Sequence, residues 1–123
     1  MNRCDLERLI GSEYGVKPDY PWAKYPTFAV FRHKENKKWF AVIMTIDKRK
    51  IGIDNDGKIN VVNLKRDANF ISTVNLQQGV FPAYHMNKEH WLTVLLDGSV
   101  KEENIKFLLA LSFDLTKKSL KRK

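Results

Sequence analysis

The amino-acid sequence predicts a single antiparallel α+β domain with helices packed against the sheet, and three observations carry that prediction. Two runs rich in β-branched and aromatic residues, 27–33 and 38–46, are joined by Lys34-Glu35-Asn36-Lys37 at hairpin distance. Apolar residues recur at helical spacing near both ends of the chain, as Leu6, Leu9, Ile10 and Tyr14 and as Ile105, Leu108 and Leu109 with Ser112. Between them the order is helix, strand run, helix, strand pair, helix, which suits an antiparallel sheet rather than a parallel βαβ repeat.

Each element has a local reason. The first helix has Asn2 as its cap and Gly15 as its stop. Residues 17–26 carry three prolines, which cannot supply the amide donors that a helix or a central strand needs, so this stretch is a structured loop with Trp22 pinning it to the core. The run 38–46 is apolar almost throughout and reads either as a central strand covered on both sides or as a strand whose outer face is used for contacts. Residues 48–53 read as a short edge strand whose lysines discourage further pairing. Asp54-Asn55-Asp56-Gly57 is a turn, and residues 58–65 are a strand in which a bulge at Val61-Val62 would explain the shift of apolar phase. Asp67 opens a second helix that Gly79 ends, and residues 80–84 and 90–96 are two further extended segments. Ser99 to Glu102 has the spacing of a capping box for the final helix, and Lys117 and Lys118 suit the negative end of its dipole.

Composition narrows the function classes. The chain has 123 residues, 43% hydrophobic and 29% charged, an ordinary balance for one folded domain at 1–116, with residues 117–123 as a disordered basic tail. No apolar stretch approaches the ~20 residues of a membrane span and the N-terminus has no secretory pattern, so no membrane partner and a cytoplasmic location are expected. One cysteine, Cys4, excludes an intrachain disulfide and fits a reducing compartment. The net charge of +8 points toward polyanions. Most of the excess lies in the tail; residues 1–116 carry only +3. Arg32, Lys34, Lys37, Lys38, Lys48, Arg49 and Lys50 bracket one apolar run and could form one basic edge.

The densest group of reactive side chains is Tyr84-His85-Met86-Asn87-Lys88-Glu89-His90-Trp91. His-x4-His is not the helical i, i+4 pair of zinc proteases and no cysteine is near, so no metal and no cofactor are expected. A general-base role for either imidazole lacks a fixed orienting carboxylate, so no catalytic residue is assigned. The group reads either as a plain turn, with Lys88 solvated and the tyrosine and Trp91 packed in the core, or as a nucleic-acid surface: Lys88 for phosphate, Asn87 for base edges, His85, His90 or Trp91 for stacking, and Lys65 and Arg66 to extend the footprint. The alternative is a small-molecule binder or enzyme with a pocket lined by His85, Asn87, His90 and Trp91; a protein-interaction or regulatory domain is a third. Gly52-x-Asp54-x-Asp56-Gly57 lacks the first and twelfth ligands of a calcium loop and is a turn.

The segment from Phe81 to Ser99, with its Tyr-His-Met-Asn-Lys-x-His-Trp core, resembles the signature of the MmcQ/YjbR family of small bacterial proteins. Phe28, Val30, Phe31, Trp39, Phe40, Ala41 and Ile43 in the hairpin, Asn63-Leu64-Lys65 before the second helix, and the final helix resemble the same pattern. The resemblance implies a frataxin-like (CyaY-like) architecture and a non-enzymatic DNA-binding role, with attention drawn to Lys65, His85, Asn87, Lys88, His90 and Trp91. The expected protein is a monomer that meets DNA mainly through backbone electrostatics. Iron delivery is disfavoured, because the first helix mixes Asp5, Glu7 and Glu13 with Arg3 and Arg8 instead of forming an acidic ridge.

Overall fold

The structure is a computed structural model and describes residues 1–66, 79–88 and 90–117. Helix α1 spans Arg3–Leu9. Asn2 caps it reciprocally: its side chain accepts from the Asp5 amide at 2.8 Å, and the Asp5 carboxylate accepts from the Asn2 amide at 3.1 Å. Ile10–Tyr14 widens into a π turn, and Gly15 ends it at φ +65°, where a side chain would be strained. Arg3 fastens this helix to the sheet by donating to Thr45 Oγ1 at 3.0 Å and to the Thr27 carbonyl.

Among the described residues the sheet has five antiparallel strands, numbered in chain order and lying side by side as first, second, third, fifth and fourth. β1 is Ala29–Arg32, β2 Trp39–Asp47, β3 Lys58–Lys65, β4 Val80–Pro82 and β5 Trp91–Leu95. Alternation sorts the side chains into two apolar layers. The first layer, on what we call the helix face, holds Phe31, Ile43, Val62, Leu64, Leu92 and Val94 beneath Leu6 and Ile10 of α1 and Ile105, Leu108 and Leu109 of the last helix. The second, on the loop face, holds Val30, Val42, Met44, Ile46, Ile59, Val61 and Leu95 beneath Trp22, Ile51, Ile53, Tyr84 and Met86. No helix among the described residues is long and apolar enough to cross a membrane.

Double coverage explains two departures from the sequence reading. Pairing of β3 with both neighbours runs without interruption, so the Val61-Val62 phase shift marks a strand buried on both sides and not a bulge. The bulge lies in β2. Phe31 faces Ala41 but Arg32 faces Trp39, which leaves Phe40 as the extra residue. Phe40 and Ala41 therefore both enter the helix-face layer, and Trp39 is turned onto the loop face. The expected edge strand at 48–53 is instead a 3₁₀ turn, Lys48–Ile51, closed by Gly52 at φ +85°; Ile51 and Ile53 then pack on the loop face rather than along an edge. Arg49 binds Asp56 at 2.9 Å and approaches Asp54 at 3.8 Å, which accounts for the acids of the calcium-loop look-alike. The second helix, from Asp67, lies outside the described residues.

The last helix, α2, is Glu102–Thr116 and buries Ile105, Leu108, Leu109 and Ser112 as its spacing requires. Its cap residue is Lys101, with no side-chain bond, because Ser99 is already committed to Asp97: hydroxyl and amide reach the carboxylate at 2.6 and 3.0 Å. The predicted capping box is thus an Asx turn that starts two residues earlier, at Asp97. At the far end, the Ser112 hydroxyl donates to the Phe40 carbonyl at 2.6 Å and accepts from the Lys65 amide at 2.8 Å, joining α2 to β2 and β3. Lys117 follows the helix and pairs with Asp114 at 3.7 Å; Lys118 lies outside the described residues.

His33 sits under this helix end with Nε2 at 2.8 Å from Thr116 Oγ1. The Thr116 hydroxyl has one proton and gives it to the Ser112 carbonyl at 2.8 Å, so Nε2 of His33 is the donor. Burial lowers the His33 pKa from 6.5, opposed by a hydrogen bond to the Phe113 backbone. The unfolded chain therefore binds a proton more readily than the folded one. Stability is full above the ordinary value and falls as pH drops through 6.5 toward the lowered folded value, below which the loss levels off. Urea melts across that window are expected to show this acid loss, and His33→Gln is expected to shrink it.

Candidate functional site

The 83–90 connector is held down by two buried polar residues on the loop face. Asn63 of β3 and Thr93 of β5 face each other in the ladder, and both are fully buried. Asn63 Nδ2 donates to the Tyr84 carbonyl at 2.8 Å, the Tyr84 amide donates to Thr93 Oγ1 at 2.9 Å, and Thr93 Oγ1 donates to Asn63 Oδ1 at 2.5 Å. This ring satisfies the Tyr84 backbone in the interior and fixes where the next residue starts. His85 then takes φ +69°, a left-handed conformation that costs a non-glycine residue about 1 kcal/mol. Its ring lies 4.2 Å from that of Tyr84 and 6.2 Å from that of Tyr25.

Beside His85 opens a cavity of about 260 Å³ lined by Trp22, Tyr25, Phe28, Trp39, Val42, Met44, His85 and Met86. Trp22 stands edge-on to both Trp39 and Phe28, with centroids 5.5 and 6.0 Å apart and interplanar angles of 89° and 84°. Tyr25 stacks on Phe28 at 4.9 Å. The walls come from three places: the proline-rich loop, the strand residue re-aimed by the β2 bulge, and the clamped connector. The loop itself is tied to the sheet by paired backbone bonds between Asp19 and Val30, both 2.8 Å, and by Arg32 to Asp19 at 2.8 Å. Trp22 does pin the loop, as its sequence context predicts.

A second feature is a basic end of the sheet. The β1–β2 turn carries Lys34, Lys37 and Lys38, and Asn36 in that turn donates to the Thr116 carbonyl at 3.0 Å. The shared Ser112 hydroxyl bonds bring Lys65 to the same end, and Lys117 follows at the end of α2. Lys65 lies over the Trp91 ring at 5.3 Å, and the next residue, Arg66, has its amide on the His90 carbonyl at 2.8 Å. Glu35 and Asp114 are the acids of these segments among the described residues, and the sequence also sets Asp67 next to Arg66 and Glu89 next to His90.

The residues nominated from sequence are thus divided. Lys65, His90 and Trp91 share the basic end; His90 is exposed and Trp91 half-buried. Arg66 is there too but only 8% exposed, so it is not a surface phosphate contact. Asn87 is exposed, and its carbonyl accepts from the His90 and Trp91 amides at 3.2 and 2.9 Å. Lys88 is exposed and lines a groove with Lys50 and Ile51 beside Phe81–Tyr84. Of the residues expected to share one pocket, His85, Asn87, His90 and Trp91, the aromatic cavity takes only His85 among the described residues, because the clamp folds 84–86 over the sheet while the Asn87 carbonyl holds the His90 and Trp91 amides where the chain re-enters β5. The expected basic edge is likewise split, since Lys38 and Lys48 flank opposite ends of β2, about 26 Å long.

Sequence reasoning missed Tyr25, Phe28 and Trp39 as wall residues. The signal present was the crowding of Tyr20, Trp22 and Tyr25 among prolines, unusual for a solvent-facing loop. No group of three His, Cys, Asp or Glu among the described residues is placed to hold a metal ion.

Comparison with known proteins places this geometry among relatives. The YjbR family model matches residues 12–115. The uncharacterized protein YyaQ of Bacillus subtilis is 39% identical over 117 residues, covering 95% of this chain and 99% of YyaQ. A Pseudomonas syringae crystal structure superposes with TM-score 0.93 at 44% identity, over 95% of this chain and all of that one. A Deinococcus radiodurans crystal structure gives 0.72 at 25% identity, over 96% of this chain and 80% of that one.

Proposed function

We infer that this chain, which belongs to the YjbR family, binds the phosphate backbone of duplex DNA through the basic end of its sheet. The observation that carries the reading is the convergence of Lys34, Lys37, Lys38, Lys65 and Lys117 on one end, with His90 and Trp91 beside them. Lysines on flexible stems suit phosphate contact and carry no base code, so binding has little sequence preference. The tail from Lys118 continues the chain from this same end with four further cations. Lys88 and the exposed Asn87 flank the footprint through the turn that returns to His90. The frataxin-like arrangement belongs to the same proposal and is supported by α1 and α2 lying on one face of an antiparallel sheet.

Neutralising about five phosphates gives a slope near −4.5 for log affinity against log salt. Anisotropy titrations with a mixed-sequence duplex are expected to show that slope. The pair Lys37→Glu and Lys65→Glu is expected to weaken binding at least about tenfold. Lys106→Glu, one turn into α2 and so at the opposite end of that helix from this surface, is expected to leave affinity nearly unchanged. No binding at low salt, or an equal loss from Lys106→Glu, would overturn the reading, the second because it would mean net charge and not this surface.

A further inference from the structure

We propose that the aromatic cavity on the loop face is a binding site for a planar, uncharged heteroaromatic molecule about the size of indole. The proposal is independent of DNA binding. An apolar cavity of about 150 Å³ is enough to hold benzene; this one, at about 260 Å³, has room for a fused or substituted ring. Among the described residues its lining contains no Lys, Arg, Asp or Glu, and the nearby Arg32 is already paired with Asp19, so neither a carboxylate nor an ammonium ligand finds a free counter-charge.

A cationic guest is disfavoured for two further reasons. Cation recognition by aromatic cages works through ring faces, and the Arg32 guanidinium already lies 5.6 Å from the Trp39 ring centroid. The chain is also strongly basic overall. A neutral planar guest suits the wall geometry better: lying parallel to one ring, it meets the perpendicular ring edge-on, the arrangement aromatic pairs prefer. The thioethers of Met44 and Met86 adapt to its outline. The His85 ring and the Tyr25 hydroxyl offer polar partners for a ring heteroatom, and Tyr25 is 41% exposed at the opening.

The walls are also held in place before any ligand arrives. The Asn63–Thr93–Tyr84 ring sets His85 in its left-handed conformation, and the Asp19–Val30 and Asp19–Arg32 links hold the proline-rich loop. Strain maintained by buried polar bonds beside an open apolar cavity is the combination expected of a preorganised site.

The test uses the full chain with ¹³C-labelled methionine methyls, titrated separately with indole, choline and benzoate. Indole is expected to move the Met44 and Met86 methyl signals saturably, with a Kd of about 1 mM or tighter, and the two charged probes to bind at least about tenfold more weakly. Trp22→Leu removes the central wall, and Tyr25→Ala, at an exposed position, serves if the first variant fails to fold; the folded variant is expected to weaken indole at least about tenfold. The proposal is overturned if indole leaves both methyls unmoved, if choline or benzoate binds as tightly as indole, or if Tyr25→Ala binds indole like the unaltered chain.

Discussion

Phe40→Ala is expected to cost about 3–5 kcal/mol of folding stability, the range for deleting a fully buried aromatic ring. Phe40 is wholly buried and meets the rings of Phe113, His33 and Tyr14 at 4.9, 5.2 and 5.9 Å. Those partners come from α2, the strand end of β1 and the π turn after α1, so one ring joins three elements on the helix face. The hole cannot close by a small shift, because Phe40 is the extra residue of the bulge and its carbonyl is held by the Ser112 hydroxyl. Thermal melting should fall by more than about 10 °C. A drop of only a few degrees would mean that the Phe113 and Tyr14 rings collapse into the space. The substitution also tests the link between the two faces: if the bulge is lost with the ring, Trp39 swings away from the loop face and its contact with Trp22 disappears.

The parts of this fold that were legible are those in which one face alone sets the pattern. α2 shows its buried stripe at Ile105, Leu108, Leu109 and Ser112 in sequence spacing, and α1 shows its cap at Asn2 and its stop at Gly15. The paired strands β1 and β2 were legible from their β-branched and aromatic content. What periodicity could not reveal is the position of a bulge inside Trp39-Phe40-Ala41-Val42, where every residue is apolar and no polar marker betrays a change of face. The 3₁₀ turn was hidden for a related reason: Ile51 and Ile53 are spaced as strand residues, and their true contacts lie across the sheet on the loop face. Ser99 fits a capping box by spacing, but Asp97 two residues earlier competes for its hydroxyl and wins. The candidate site was half visible. His85 stood out by residue type, whereas the cage around it is assembled from residues 22 to 86 and has no local signature. The lysines of the basic end were visible as charges; the β2–β3 pairing and the cross-links through Ser112 and Thr116 bring them together.

Asn63→Ala is the substitution expected to separate the cage from the rest of the fold. It removes the donor to the Tyr84 carbonyl and the acceptor for the Thr93 hydroxyl, leaving two interior groups without those partners. Each unmet buried group costs about 1–3 kcal/mol, so a loss of about 2–6 kcal/mol is expected for the two. The damage should also be local. With the Tyr84 carbonyl no longer held, the connector keeps only the Tyr84 amide bond to Thr93 against the strain of the left-handed His85 backbone, and that residue relaxes toward an ordinary conformation. The amide signals of 84–86 and the Met86 methyl should shift and broaden, while those of α1 and α2, packed on the opposite layer, stay near their original positions. Asn63→Asp is the sharper companion: it keeps the acceptor for Thr93 but sets a carboxylate oxygen against the Tyr84 carbonyl, so at neutral pH it should be at least as disruptive as alanine. Milder behaviour of the aspartate in acid, where its protonated form can donate to that carbonyl, would assign the effect to the hydrogen bond and not to lost packing. Equal shifts throughout both layers would contradict a local clamp, because they would mean that Asn63 supports the sheet as a whole.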